Sequence, residues 1–347
     1  MRAIILRSPR TLELAETPVP KLTAPEHVLI QVKACGICGS DLRYWAGENP
    51  WALHTLGHHV DSPPNIILGH EYAGIVAEVN SSRYEHLAGK RVGVQAYRTC
   101  GACGFCRSGR QNLCRHTIHM GHAQGWGAMD VYPGAYAEYC LGWGDLLYPL
   151  PDEIPFDEAA MADILCVAVH VAGRSRLRPG ADVLCIGGGP IGLCIAQVAR
   201  DRGARNVFIT EPSPVARQVL NQFDFQLIDS LDGQPRVAAV YDSVGSPETI
   251  NQGLRLLEES GVYVNLAVHS AQVTLDAALL ASERTITTSS NAFYRDVAEA
   301  YELIFSGRVN VRPLITHCFP LEDYARAFEL LLATPKQAYK VVFHPAA

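Results

Sequence analysis

The 347-residue chain has no run of about 18 consecutive apolar residues, so no stretch of it reads as a membrane-spanning helix. It has no polybasic cluster and carries a formal net charge of −6, which leaves no footprint for nucleic acid or for an anionic lipid surface. Internal repeats and low-complexity stretches are also missing. The opening stretch MRAIILRSPRTLELAE becomes charged too early for a signal peptide, so a cytoplasmic location is expected. The length favours two domains, each large enough to bury a core of its own.

Cysteine is not scarce: there are eleven, and they divide into two groups. Cys35, Cys140, Cys166, Cys185, Cys194 and Cys318 lie mostly in or beside apolar runs, where a free thiol acts as a small hydrophobe, and none is expected to do chemistry. Cys38, Cys100, Cys103, Cys106 and Cys114 sit in glycine-rich or polar surroundings, which in a reducing compartment favours a metal over disulfides. The last four form C-x2-C-x2-C-x7-C, the spacing of a closed structural zinc site, although iron–sulfur clusters use similar spacing. Cys38, His70 and Glu71 mix sulfur, nitrogen and oxygen from separate segments, a donor set that can leave a position open for water or substrate.

The second half is organised around DVLCIGGGPIG, residues 182–192. A short apolar run leads into Gly187, Gly189 and Gly192 at G-x-G-x-x-G spacing, and a helix is expected from Ile191 to Arg202. Gly189 and Pro190 would line the turn, and free backbone N–H groups of the helix that starts at Ile191 would face a pyrophosphate. The next apolar run ends at Glu211, 19 residues past Gly192, where a carboxylate suits the ribose hydroxyls of NAD and repels a 2′-phosphate. Arg217, six residues later, leaves NADP open. Strand-like runs at 237–244, 262–267 and 285–289 continue a βα alternation, which implies a parallel sheet covered by helices. Residues before about 150 are instead rich in short β-like runs and proline turns.

GICGSD, ILGHEYAG, the four-cysteine lobe, GGGPIG, DSVGS at 242–246 and the tail FPLEDYARAFELL together resemble the zinc-dependent medium-chain alcohol dehydrogenase family, in its sorbitol and threonine dehydrogenase branches. The resemblance spans essentially the whole chain. It implies an α/β architecture: a GroES-like β-rich catalytic domain (1–156 and 291–347) plus a Rossmann domain with a doubly wound parallel sheet (157–290). It implies two zinc ions per chain, NAD as cofactor with Val244 of DSVGS beside it, and a homodimer or homotetramer paired through the last Rossmann strand. It carries the catalytic zinc onto Cys38 and His70 plus an acidic residue, for which Glu71 and Asp163, seven residues before His170, both qualify.

In that family zinc eases loss of the alcohol proton and hydride leaves to the nicotinamide ring. Ser40 matches the hydroxyl that receives the proton, although a serine there also suits a cap for a helix expected to begin at Asp41. The relay ends in the family at a histidine, and here that position is Arg43. A guanidinium is no base at working pH. Either the proton leaves directly to solvent, or His54, His58 or His59 substitutes, or Arg43 pairs with the cofactor or selects an anionic substrate. Trp45, Trp51 and those three histidines make a loop suited to shaping a cleft, and His116, His119, His122 and Trp126 make another. The expected activity is NAD-linked oxidation of a secondary alcohol in a polyol, sugar or sugar derivative. The alternatives are a threonine 3-dehydrogenase-like activity and a zinc-stabilised NAD-binding protein without catalysis.

Overall fold

A computed structural model describes residues 1–52, 58–122, 132–268 and 271–346. The chain divides into two compact units, 1–163 with 315–347, and 164–314. The boundaries differ from those read in the sequence: residues 157–163 belong to the first unit and 291–314 to the second. The helix Tyr294–Phe305 explains the second difference, because nothing in its amphipathic pattern says which core its buried face (Val297, Ala300, Tyr301, Ile304) joins.

The first unit is built on strands. A hairpin of β1 (Arg2–Ser8) and β2 (Thr11–Glu16) stands beside a seven-stranded sheet. That sheet contains β3 (His27–Gly36), β4 (Glu71–Val79), β5 (Arg91–Val94), β8 (Tyr139–Trp143), β9 (Leu147–Pro149), β16 (Ile315–Pro320) and β17 (Lys340–His344). Its order is β16-β17-β3-β4-β5-β9, with β8 also on β3. The short pair β6 (Tyr97–Arg98) and β7 (Ile118–His119) flanks the cysteine lobe. Val28, Ile30, Val32, Val92, Trp143 and Phe343 fill the interior. Two registers position the site: Gly36 lies opposite Glu71 on one side and opposite Val342 on the other.

The second unit carries a six-stranded parallel sheet: β10 (Val183–Ile186), β11 (Val207–Thr210), β12 (Gln226–Ile228), β13 (Val237–Asp242), β14 (Leu257–Asn265) and β15 (Thr285–Thr288). The order β12-β11-β10-β13-β14-β15 reverses direction between β10 and β13, the point where this fold takes a dinucleotide. Leu184, Ile186, Phe208, Val240, Leu254 and Tyr263 form its core. Among the described residues no helix is long and apolar enough to cross a membrane.

Candidate active site and cofactor turn

At the glycine turn, Gly187 has φ +92°, a conformation that side chains resist. A Cβ on Gly192 would fall 1.9 Å from the Gly187 carbonyl oxygen, so only glycine lets the helix start this close to the strand. Gly189 faces open space and caps the helix Pro190–Asp201 without any side-chain acceptor. Its first N–H groups are therefore free for an anion. Glu211 reaches this turn: one carboxylate oxygen accepts from the Gly188 N–H at 2.8 Å and the other from the Ser213 N–H at 2.7 Å. Arg217 donates to the Glu211 carbonyl and pairs with Asp229 at 3.0 Å. At the end of β13, buried Asp242 accepts from Tyr263 and from the N–H groups of Val244 and Gly245, which fixes the DSVGS loop and leaves Val244 exposed.

In the first unit, the helix Gly39–Ala46 begins one residue after Cys38, whose extended backbone makes it the N-cap. Ser40 is thus inside the helix and caps nothing. The Cys38 N–H donates to Asp41 Oδ2 at 2.8 Å, the Tyr136 hydroxyl donates to the same oxygen at 2.8 Å, and Asp41 Oδ1 lies 3.6 Å from His70 Nδ1. Asp41 is fully buried and sets the orientation of His70, as an outer carboxylate does for a metal-binding imidazole. Burial alone would lower the His70 pKa, but Asp41 and Cys38 push it up to about 10.

Glu71 opens β4, and its side chain lies where a Cβ on Gly36 would stand, 2.2 Å from Glu71 Oε2. Lys340, the first residue of β17, donates to Glu71 Oε1 at 2.7 Å, with both side chains buried. Burial works against the Lys340 charge, and Glu71 outweighs it, so the ammonium is held above its ordinary value. Desolvation pushes the partly buried Asp163 carboxyl up to about 6, with His70 pulling the other way. Lys340 had no place in the sequence reading; its one legible signal is a lysine opening the apolar run KVVFH.

One donor atom from each of Cys38, His70 and Glu71 lies within 4.8 Å of the others, a mixed sulfur, nitrogen and oxygen set that fits a zinc ion. Asp163 is coupled electrostatically to His70, Glu71 and Lys340 without belonging to that triplet. His170, which served to align Asp163, instead pairs with Asp296 at 2.8 Å in the second unit. The four lobe thiols lie 3.6 Å (Cys103 to Cys106), 3.5 Å (Cys114 to Cys100) and 4.0 Å (Cys100 to Cys106, Cys103 to Cys114) apart. A tetrahedron with zinc–sulfur bonds of about 2.3 Å has edges of about 3.8 Å, so this lobe fits its ion as well.

Beyond Ser40 stands His122: its Nε2 lies 3.3 Å from the Ser40 hydroxyl and 3.3 Å from His70 Nε2. His119 stacks on it with ring centroids 4.5 Å apart, and Trp51 meets both rings edge-on. Burial keeps both imidazoles well below their ordinary pKa, and neighbouring His70 adds to the shift. Of the residues considered as substitutes for the relay histidine, His58 and His59 are exposed, and His54 lies outside the described residues, as does Trp126. His116 is also exposed. Arg43 donates from Nε to Glu48 at 3.0 Å.

Two family models match the chain: an alcohol dehydrogenase GroES-like domain over residues 24–152 and a zinc-binding dehydrogenase over 190–306. A sorbitol dehydrogenase of Bacillus subtilis is 28% identical, covering 99% of this chain and 97% of its own. An L-threonine 3-dehydrogenase of Deinococcus deserti is 31% identical, covering 92% of each. The chain belongs to the zinc-dependent medium-chain alcohol dehydrogenase family. Among solved structures, the alcohol dehydrogenase of Thermus sp. ATN1 superposes with a TM-score of 0.86 at 26% identity, over 99% of each chain. The family uses zinc and a nicotinamide dinucleotide, and the two donor sets and the glycine turn are the parts of this chain suited to them.

The Glu71–Lys340 pair allows a test of what neutralises Glu71. Lys340→Met would strand a buried carboxylate, at a cost of about 3–5 kcal/mol. For a unit of this size that lowers Tm by roughly 10 °C. Calorimetry on the metal-free variant checks it, and zinc loading should recover much of the loss because the ion then balances Glu71. A loss below about 1 kcal/mol without metal would mean that the lysine does not balance Glu71.

Proposed function

We propose that this enzyme oxidises a secondary alcohol of a polyol, sugar or sugar derivative with NAD, using a zinc ion held by Cys38, His70 and an acidic residue. The observation that carries the reading is the convergence of Cys38, His70 and Glu71 donors beside a serine hydroxyl that already has a hydrogen-bond partner. Glu71 is the better acidic ligand on this geometry, because it belongs to the triplet of donors and Asp163 does not. When bound, zinc supplies a Lewis acid that eases deprotonation of an alcohol near neutral pH. Asp41 holds His70 in place, His122 holds the Ser40 hydroxyl in a fixed direction, and Ser40 relays the alcohol proton toward solvent, releasing its own hydroxyl proton as it takes up the new one.

Glu211 at the glycine turn supports NAD over NADP. A second zinc in the four-cysteine lobe and pairing of two chains through edge strand β15 complete the reading, together with a cytoplasmic location. The sorbitol dehydrogenase relative supports a polyol, and the threonine dehydrogenase relative keeps a hydroxy amino acid as the second reading.

NADH formation by the zinc-loaded protein should be measured across neutral polyols, sugar acids, sugar phosphates and threonine. Turnover of neutral polyols is the expected result, since Glu48 already occupies the Arg43 guanidinium. Turnover of anionic members alone would make Arg43 the selector, and threonine alone would favour the second reading. Silence across the panel would favour a protein that binds NAD without catalysis.

A further inference from the structure

Cys318 was expected to be a small buried hydrophobe, and it is exposed. The reason is its strand: β16 is the edge of the seven-stranded sheet, and its residues alternate between half-buried and exposed. Among the described residues it is the only exposed cysteine outside the four-cysteine lobe. The pleat also determines its neighbours. Cys318 lies opposite Val342 in the parallel pair β16–β17, so His344, two residues further on, projects from the same face. The helix Phe156–Ala160 brings Asp157 to that face. His344 Nε2 lies 2.7 Å from Asp157 Oδ1, Cys318 Sγ lies 4.0 Å from Asp157 Oδ2, and one donor atom from each residue lies within 4.8 Å of the others.

We propose that Cys318, His344 and Asp157 form a further zinc site, separate from both sites described above and open to solvent. The donor set is the argument. A thiolate and an imidazole select zinc over magnesium or calcium, and a carboxylate completes a common trio. Zinc needs these atoms roughly 3.3–3.6 Å apart, between the two separations observed, so small side-chain rotations suffice. Three protein ligands leave a coordination position for water or for a small anionic ligand. A carboxylate–imidazole pair this exposed contributes at most about 1 kcal/mol by itself, and it has no need of a thiol beside it.

The test uses the purified, zinc-loaded enzyme titrated with further zinc, with alkylation of Cys318 by iodoacetamide followed by peptide mass spectrometry. Bound zinc should slow that alkylation about tenfold or more, since the thiolate is the nucleophile. His344→Gln should abolish the protection while leaving Cys318 reactive. Wild-type protein at saturation should hold one more equivalent of zinc than Cys318→Ser, by elemental analysis. Alkylation that is indifferent to zinc, or equal zinc content in the two proteins, overturns the proposal. The alkylation readout needs only the wild-type chain, so a variant that folds poorly does not blunt it.

Discussion

Cys38→Ser should lower kcat by about 10³ or more, because it removes a ligand of the ion that supplies several kcal/mol of charge stabilisation. NAD affinity should stay within about twofold, because Cys38 belongs to the first unit and the glycine turn to the second, and substitutions at independent sites do not couple. The measurement is a pair: steady-state rates on whichever alcohol the panel identifies, and NAD titration of the same preparation by calorimetry. A serine oxygen is a poorer zinc ligand than a thiolate, yet it preserves the N-cap position, so the helix Gly39–Ala46 that carries Ser40 and Asp41 keeps its start. The buried network should therefore survive: Asp41 still receives the hydrogen bonds from the backbone of residue 38 and from Tyr136. Loss of turnover with NAD binding intact separates a zinc enzyme from a zinc-stabilised NAD-binding protein. An unchanged rate would end the enzymatic reading, and joint loss of rate and NAD binding would mean misfolding.

What could be read in advance follows the distance along the chain over which each feature is encoded. The glycine turn and the four-cysteine lobe are local: eleven and fifteen consecutive residues hold them, and their spacing carries the geometry. The edge-strand environment of Cys318 is not local, since it depends on β16 having only one neighbour. Nor is the Glu71–Lys340 pair, which joins residues 269 apart through the registers of β4, β3 and β17. His122 meets Ser40 across 82 residues, and in sequence it looked no different from His116, which is exposed. Even the helix start was misplaced by the most local signal of all. Serine is a strong capping residue, but Cys38 holds the extended conformation and Ser40 is left free to face His122.

Cys103→Ser should open the four-cysteine lobe while leaving the catalytic residues in place. The lobe has little else to hold it. Its regular structure is one four-residue helix, Gly104–Arg107, and one turn of 3-10 helix, Gln111–Leu113. Phe105 is its largest apolar side chain, only partly buried, with the guanidiniums of Arg110 and Arg115 stacked over it at 5.2 and 5.4 Å. Such contacts contribute about 0.5–1 kcal/mol each at exposed sites, too little to order some fifteen residues whose backbone entropy alone costs about 1 kcal/mol apiece. The ion must supply the difference, and the backbone N–H groups of Cys100, Cys103 and His116 already point at sulfur, as they do where thiolates are to be stabilised. Trypsin reports the opening directly, because Arg107, Arg110 and Arg115 lie within the lobe or beside it. Cleavage there should accelerate about 10²-fold in Cys103→Ser, since proteolysis tracks the population of the open form when opening is fast. Zinc content should fall by one equivalent, and the kcat of the uncleaved fraction should hold, because no residue of the lobe belongs to the Cys38, His70 and Glu71 set. Cleavage at the wild-type rate would show that chain contacts alone order the lobe, and the four thiols would then need another explanation for standing at the edges of a zinc tetrahedron.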